Sequence, residues 1–275
     1  MPQRALSMHL REAGLATGRP LVFLHGWSAH GGFYAPQEAA LGNRFRLLLP
    51  DLPGHGQSHA AADGLSIASL ADALAAMLAA QDIRDAVLVG WSMGAMVAFD
   101  YLSRHHDGRV SALAVEDMTA RLMHAPDWPH GLRGDFDAAQ NAMVLAAMRA
   151  DWAGFSAAFL PRMFAHDHAP DPALKTWIGA QIAQNDPAAM AALWASMAEQ
   201  DYRAALAEVK LPTLIVYGGE SQLYEPGVSA WMQSAIAGAE RHCLARSGHT
   251  PHLEQPDAFN ALLADFAMRR VKATA

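Results

Sequence analysis

The chain has 275 residues, with 20 Lys and Arg against 27 Asp and Glu and a net charge of −7. That balance gives no basic footprint for nucleic acid and none for an anionic membrane surface, so neither is expected as a partner. A single cysteine, Cys243, excludes a disulfide within the chain. No apolar run approaches the ~18 residues of a spanning helix, and the opening MPQRALSMHLREAG lacks the apolar core of a signal peptide. A cytoplasmic protein is therefore expected.

In chain order, RPLVFLHGW (19–27) reads as a buried strand ending in a glycine turn, and FRLLLPDLPGHGQS (45–58) as a strand followed by a loop of breakers. SIASLADALAAMLAAQ (66–81) spaces its apolar residues as a helix does, with Ser66 or Ser69 able to cap it. DAVLVGW (85–91) reads as a strand, MVAFDYLSRHH (96–106) as a helix and RVSALAVEDM (109–118) as another strand. This alternation predicts an α/β fold in which a mostly parallel sheet is covered by helices on both faces.

From 119 to 208 the alternation stops and helices separated by Pro and Asp-Pro breaks are expected. The segment is rich in Trp, Phe and Met, and reads as a helical cap inserted into a core made of 1–118 and 209–275. Its large apolar side chains can line an acyl pocket or form the cap's own core. Strands resume with LPTLIVYGG (211–219), followed by a helix around VSAWMQSAIAG, a strand near ERHCLA, the loop RSGHTPHLEQP (246–256) and a final helix DAFNALLADFAMRR (257–270). Open parallel sheets bind ligands at the carboxyl ends of their strands, where these loops fall.

One stretch carries chemistry. GWSMGA (90–95) puts Ser92 between Gly90 and Gly94 where a strand gives way to a helix, the pattern of a nucleophile elbow. A serine hydroxyl needs a base, and His249, after the last strand, is the candidate; His252 is its competitor, with a packing or capping role favoured for it. An oxyanion needs two backbone donors, expected from Met93, which follows the serine, and Trp27, in the turn after the RPLVFLHG strand. His25 and His55 read as structural members of turns. HDH (166–168) lacks the companions of a metal site, and no glycine-rich nucleotide loop occurs, so neither metal nor cofactor is expected.

HGW, DLPGHGQS, GWSMGA, LPTLIVYGG and SGHTPHLEQP, in this order and spacing, resemble the α/β-hydrolase superfamily over nearly the whole chain, with 119–208 in the place of its cap. HGW with GWSMGA is most similar to the carboxylesterase group that includes the pimeloyl-ACP methyl ester esterases. The resemblance implies a triad acid in a G-x-x-D loop after the seventh strand, but GESQ (219–222) puts Gln222 there. Some members, certain haloalkane dehalogenases among them, carry the acid after the sixth strand instead. VSALAVEDM ends there, and Asp117 takes the position, with Glu220, Glu116 or no acid at all as alternatives. Serine rather than aspartate at the elbow argues against dehalogenation. The resulting expectation is a serine hydrolase that cleaves a carboxylic ester or thioester with a fairly apolar acyl group. In it Ser92 attacks, His249 moves the proton and Asp117 holds the ring. Carbon–carbon bond hydrolysis, lactone opening and a slow-turnover receptor are the alternatives. The expected partner is a small ester or acyl substrate, and a homodimer is compatible with the sequence.

Overall fold

Seven strands form one sheet in the computed structural model, which describes residues 6–269. They are β1 (Leu10–Gly14), β2 (Arg19–Leu24), β3 (Phe45–Pro50), β4 (Ala86–Trp91), β5 (Val110–Glu116), β6 (Thr213–Gly218) and β7 (Glu240–Leu244), ordered β1-β3-β2-β4-β5-β6-β7. Every neighbouring pair is parallel except β1 with β3. β4 lies in the middle and is buried along its whole length, which requires cover on both faces and explains its unbroken run AVLVGW. β1 is a strand that the apolar pattern does not announce: LREAG is half-buried and polar, and as an edge strand it pairs on one side only. The leading MPQRA and Arg270, which the expected final helix includes, lie outside the described residues.

The core helices before the long insertion are α1 (Ala35–Leu41), also unannounced, α2 (Ile67–Ala80) and α3 (Met93–Arg104). Ser66 is the N-cap of α2: it accepts from Ser69 N–H at 3.1 Å while Ser69 Oγ accepts from Ser66 N–H at 2.9 Å. Between β5 and β6 follow α4 (Ala138–Ala150), α5 (Trp152–Phe159), α6 (Pro172–Ala183), α7 (Pro187–Glu199) and α8 (Arg203–Ala207). The Asp of each Asp-Pro break is a cap: Asp171 and Asp186, like Asp137 and Asp151 before them, accept from the first-turn N–H groups of α4 to α7, and Pro opens α6 and α7. The strand that the family resemblance counts as sixth is β5 here. After β6 come α9 (Pro226–Ala235), α10 (Pro251–Glu254) and α11 (Pro256–Arg269). α1 packs on α11, whereas α2, α3, α8 and α9 pack in succession, giving the sheet its two helical layers. No helix among the described residues is long and apolar enough to cross a membrane.

The strand order positions the site. The chain leaves β2 toward β3 on one side and returns to β4 on the other, so the loops after β2 and β4 open side by side at a topological switch point. Registers Leu24↔Gly90, Trp91↔Glu116 and Glu116↔Val216 bring the carboxyl ends of four strands to one edge.

Candidate active site

The elbow begins where β4 ends at Trp91. Ser92 takes φ 52° and ψ −121°, a left-handed conformation that costs a non-glycine residue of order 1 kcal/mol or more and survives only where packing enforces it. The packing is visible in the two glycines. A Cβ on Gly94 would lie 2.0 Å from Leu24 O, and one on Gly90 2.6 Å from Ala95 Cα. Helix α3 therefore starts in direct backbone contact with β2 and turns back over β4. Among the described residues Ser92 Oγ has no hydrogen-bond partner, and it lines an apolar cavity at this edge.

The turn after β2 is shaped by two buried imidazoles. Leu52 N–H donates to His25 Nε2 at 2.8 Å, and His25 Nδ1 donates to Gly26 O at 2.9 Å. Reciprocally, Ser28 N–H donates to His55 Nε2 at 3.2 Å, and His55 Nδ1 donates to Pro53 O at 3.3 Å. Each ring accepts on one nitrogen, so both are neutral. Burial pushes His25 down to about 3 and holds His55 well below the ordinary histidine range, with His25 adding to the effect on His55. This cross-brace fixes the loop that carries Trp27. The N–H groups of Trp27 and Met93 find no protein acceptor among the described residues. The Trp27 indole donates to Met190 O at 3.0 Å and meets the rings of Trp152, Phe155, Phe159 and Trp194 edge-on.

His249 sits on the loop after β7 and is 3% exposed. Its Nδ1 donates to Asp117 Oδ2 at 2.7 Å, so its other nitrogen is left for the cavity that it shares with Ser92. Its backbone is held from two sides: Trp91 Nε1–H donates to His249 O at 2.6 Å, and His249 N–H donates to Met163 O at 3.0 Å. Asp117 follows β5 with φ 40° and is 4% exposed. Besides His249 it accepts from Ser221 Oγ at 2.8 Å and Gly218 N–H at 3.3 Å. Ser221 belongs to GESQ, the loop where the commonest family pattern has its acid, and sequence reasoning missed it. No local pattern marks it, since its partner lies 104 residues away. Ser221 Oγ also accepts from Leu223 N–H and Tyr224 N–H, both at 3.3 Å. Burial and the Asp117 charge raise the Tyr224 phenol well above its usual range.

The other carboxylates go elsewhere. Glu220 accepts from Asp167 N–H at 2.7 Å and pairs with His168, and these contacts lower it below the usual carboxylate range. Gln222 donates to Pro161 O at 3.1 Å and Phe164 O at 3.0 Å. Both residues thus bind the segment after α5 and not His249. His166 contacts Asp167 at 2.6 Å, and no group of three or more His, Cys, Asp or Glu among the described residues could hold a metal. Glu116 meets His252, with His252 N–H and Nδ1 both donating to Oε1 at 2.8 Å.

The cavity over Ser92 measures about 190 Å³ and is lined by Trp27, Met118, Phe155, Phe159, Trp194 and Leu223 among others. Arg133 and Arg162 stand on its wall, and Arg133 pairs with Glu225. Residues from α5 and α7 stand opposite the strand ends, so the segment between β5 and β6 supplies much of the apolar surface.

Comparisons with known proteins agree with this architecture. The chain is 29% identical over 262 residues to a pimeloyl-(acyl-carrier protein) methyl ester esterase of Chromobacterium violaceum, covering 94% of this chain and 98% of the relative. An esterase from Exiguobacterium antarcticum superposes with a TM-score of 0.88 at 22% identity, covering 95% of each chain. The enol-lactonase from Burkholderia xenovorans superposes at 0.83 with 25% identity, over 95% of this chain and 96% of the other. Residues 21–262 match the alpha/beta hydrolase family, and the chain belongs to that family.

Proposed function

We propose that the protein hydrolyses a carboxylic ester or thioester with a fairly apolar acyl group, by a serine mechanism. Ser92 Oγ attacks the carbonyl carbon while His249 takes its proton on the nitrogen opposite Asp117. Asp117 fixes the tautomer and stabilises the imidazolium. The developing oxyanion is met by the N–H groups of Trp27 and Met93, whose removal from water makes them strong donors. His249 then returns the proton to the leaving alcohol or thiol, and a water attacks the acyl-Ser92 ester through the same base. Residues 119–208 serve as the cap that shapes the acyl pocket, over a core of 1–118 and 209–275.

The observation that carries this reading is that Ser92 and His249 line one apolar cavity while His249 is held at 2.7 Å by Asp117. A cavity of about 150 Å³ already holds a benzene ring, so 190 Å³ accepts a ring or a short chain. The carrier-bound methyl ester named for the Chromobacterium relative is one substrate to try. A lactone is the second reading, favoured by the likeness to the enol-lactonase. It needs the same steps, with the leaving alcohol still tethered.

The test is labelling with a fluorophosphonate, followed by turnover of p-nitrophenyl esters of increasing chain length and of lactones. Ser92→Ala is expected to lose both labelling and turnover. Turnover unchanged in that variant rejects the reading, and labelling without turnover points to a receptor.

A further inference from the structure

Directly beside Asp117 and His249 lies a second pair that the mechanism above does not use. Glu116 and Asp117 are consecutive at the end of β5, and His249 and His252 lie three apart, His249 on the loop into α10 and His252 within that helix. The two acids take one histidine each. Asp117 holds His249 at 2.7 Å, and Glu116 Oε1 receives both the backbone N–H and the Nδ1–H of His252 at 2.8 Å. Trp91 stands between the two rings, 5.7 Å from His249 and 4.9 Å from His252 by centroid.

This second pair is costly. Glu116 is 1% exposed and His252 0%. Glu116 Oε2 and His252 Nε2 have no hydrogen-bond partner among the described residues. Burying such a pair in an aromatic nest of Tyr34, Trp91 and Phe259 is poorer for stability than a pair of apolar side chains would be. The orphaned Nε2 faces no acceptor, so the ring is best accommodated as the neutral Nδ1–H tautomer.

We propose that Glu116 is a positioning residue for the hydrolysis, clamping the His249 loop through His252 and placing a second buried negative charge behind the His249 imidazole. Asp117 orients the ring, and Glu116 adds to the field that favours the imidazolium formed as Ser92 gives up its proton. The other groups facing His249 leave room for this effect. Tyr224, across the cavity wall, is a neutral phenol, with burial and the Asp117 charge holding it so. Glu254 spends its carboxylate on Gly248 N–H, Thr250 and Ala165 N–H. Arg133 and Arg162 stand on the cavity wall and act in the opposite direction to Glu116. Tyr34, which faces Glu116, is uncharged, as burial first and the Glu116 charge second keep its proton on. The inference rests on His249 being the base.

Glu116→Gln removes the charge and keeps an acceptor for both His252 donors. Its kcat is expected to fall about tenfold with KM unchanged, and the acid limb of its kcat/KM profile to move about one unit lower, since the imidazolium loses that much support. His252→Asn, whose side-chain amide can replace Nδ1–H as the donor to Glu116, is expected to keep the wild-type acid limb. A Glu116→Gln profile and kcat that overlay the wild type overturn the inference, as does an equal shift in both variants. Nitrogen-15 NMR of the wild-type imidazoles tests the same point without a variant: a neutral Nδ1–H ring at His252 supports it, and an imidazolium there at neutral pH overturns it. His249→Ala separates the two levels, because an active His249→Ala enzyme rejects His249 as base whatever Glu116 does.

Discussion

Acidifying the protein from about pH 7.5 to pH 5.0 tests the cross-brace behind the turn that carries Trp27. His25 is fully buried, accepts a hydrogen bond from Leu52 N–H, and is pushed by burial from 6.5 to about 3. The unfolded chain takes up a proton there as pH falls through 6.5, and the folded chain does not until pH nears 3. Stability is therefore complete above 6.5 and is lost progressively below it. At about 1.36 kcal/mol per unit, the loss by pH 5.0 is about 2 kcal/mol, and this figure holds for any folded value well under 5. His55, also held low by burial, adds a loss of the same sign. Glu254, raised by burial, takes up its proton earlier in the folded chain than in the unfolded one and offsets part of this loss, equally in the two proteins compared below. Asp82 and Asp127, lowered by their hydrogen bonds to Arg109 and Arg203, lose their contribution only as pH falls below the ordinary 3.8. Urea unfolding at several pH values, with wild type beside His25→Gln, provides the measurement. The variant is expected to be less stable at pH 7.5 but to lose about 2 kcal/mol less than wild type on the way to pH 5.0. Equal losses in the two proteins would refute the assignment of His25 as a buried neutral acceptor.

Three other outcomes are expected. Asp117→Asn should lower kcat by about 10³- to 10⁴-fold while leaving the urea midpoint nearly unchanged, because the amide donates where the ring needs an acceptor; steady-state kinetics with a p-nitrophenyl ester checks this, and a loss under tenfold contradicts it. Ser221→Ala removes a donor to a buried carboxylate and orphans two N–H groups, for an expected cost of about 2–3 kcal/mol in urea unfolding and a several-fold fall in kcat at constant KM. An unperturbed stability would show that another group satisfies Asp117. Ala158→Trp fills the cavity wall; octanoate esters should lose at least about tenfold in kcat/KM relative to acetate esters, and an unchanged ratio would place the acyl chain elsewhere.

The fold is legible in this sequence wherever burial on two faces forces a continuous apolar run. AVLVGW and RPLVFL read as strands for that reason, whereas LREAG and APQEAAL, half-solvated and short, do not. The serine is legible because its strain is local: glycines must stand where Leu24 O and Ala95 approach, and that requirement writes itself into six consecutive letters. A carboxylate after a buried strand is also legible, since its burial calls for a partner. Which histidine meets which acid is a different kind of question. Glu116 and Asp117 are consecutive yet take different histidines, so the pairing depends on strand order and on how the loops fold back and not on either motif alone. The same holds for Ser221 and for the His25–His55 brace, whose partners are 104 and 27 residues apart.

One consequence of those long-range ties concerns the segment above the cavity. Its stretch from Pro161 to His168 is joined to the core at the loops after β6 and β7: Met163 O to His249 N–H, Ala165 N–H to Glu254, Pro161 O and Phe164 O to Gln222, and Asp167 N–H and His168 to Glu220. Glu254, raised by burial, turns the same carboxylate to Gly248 and Thr250 on either side of His249. A rigid swing of the whole segment would break these bonds and release the imidazole from its place. Helix α4 is tied far less closely, with Met148 its one buried residue. Room for a substrate to enter is therefore expected on the α4 side, because motion on the Pro161–His168 side would break the bonds that hold the His249 loop.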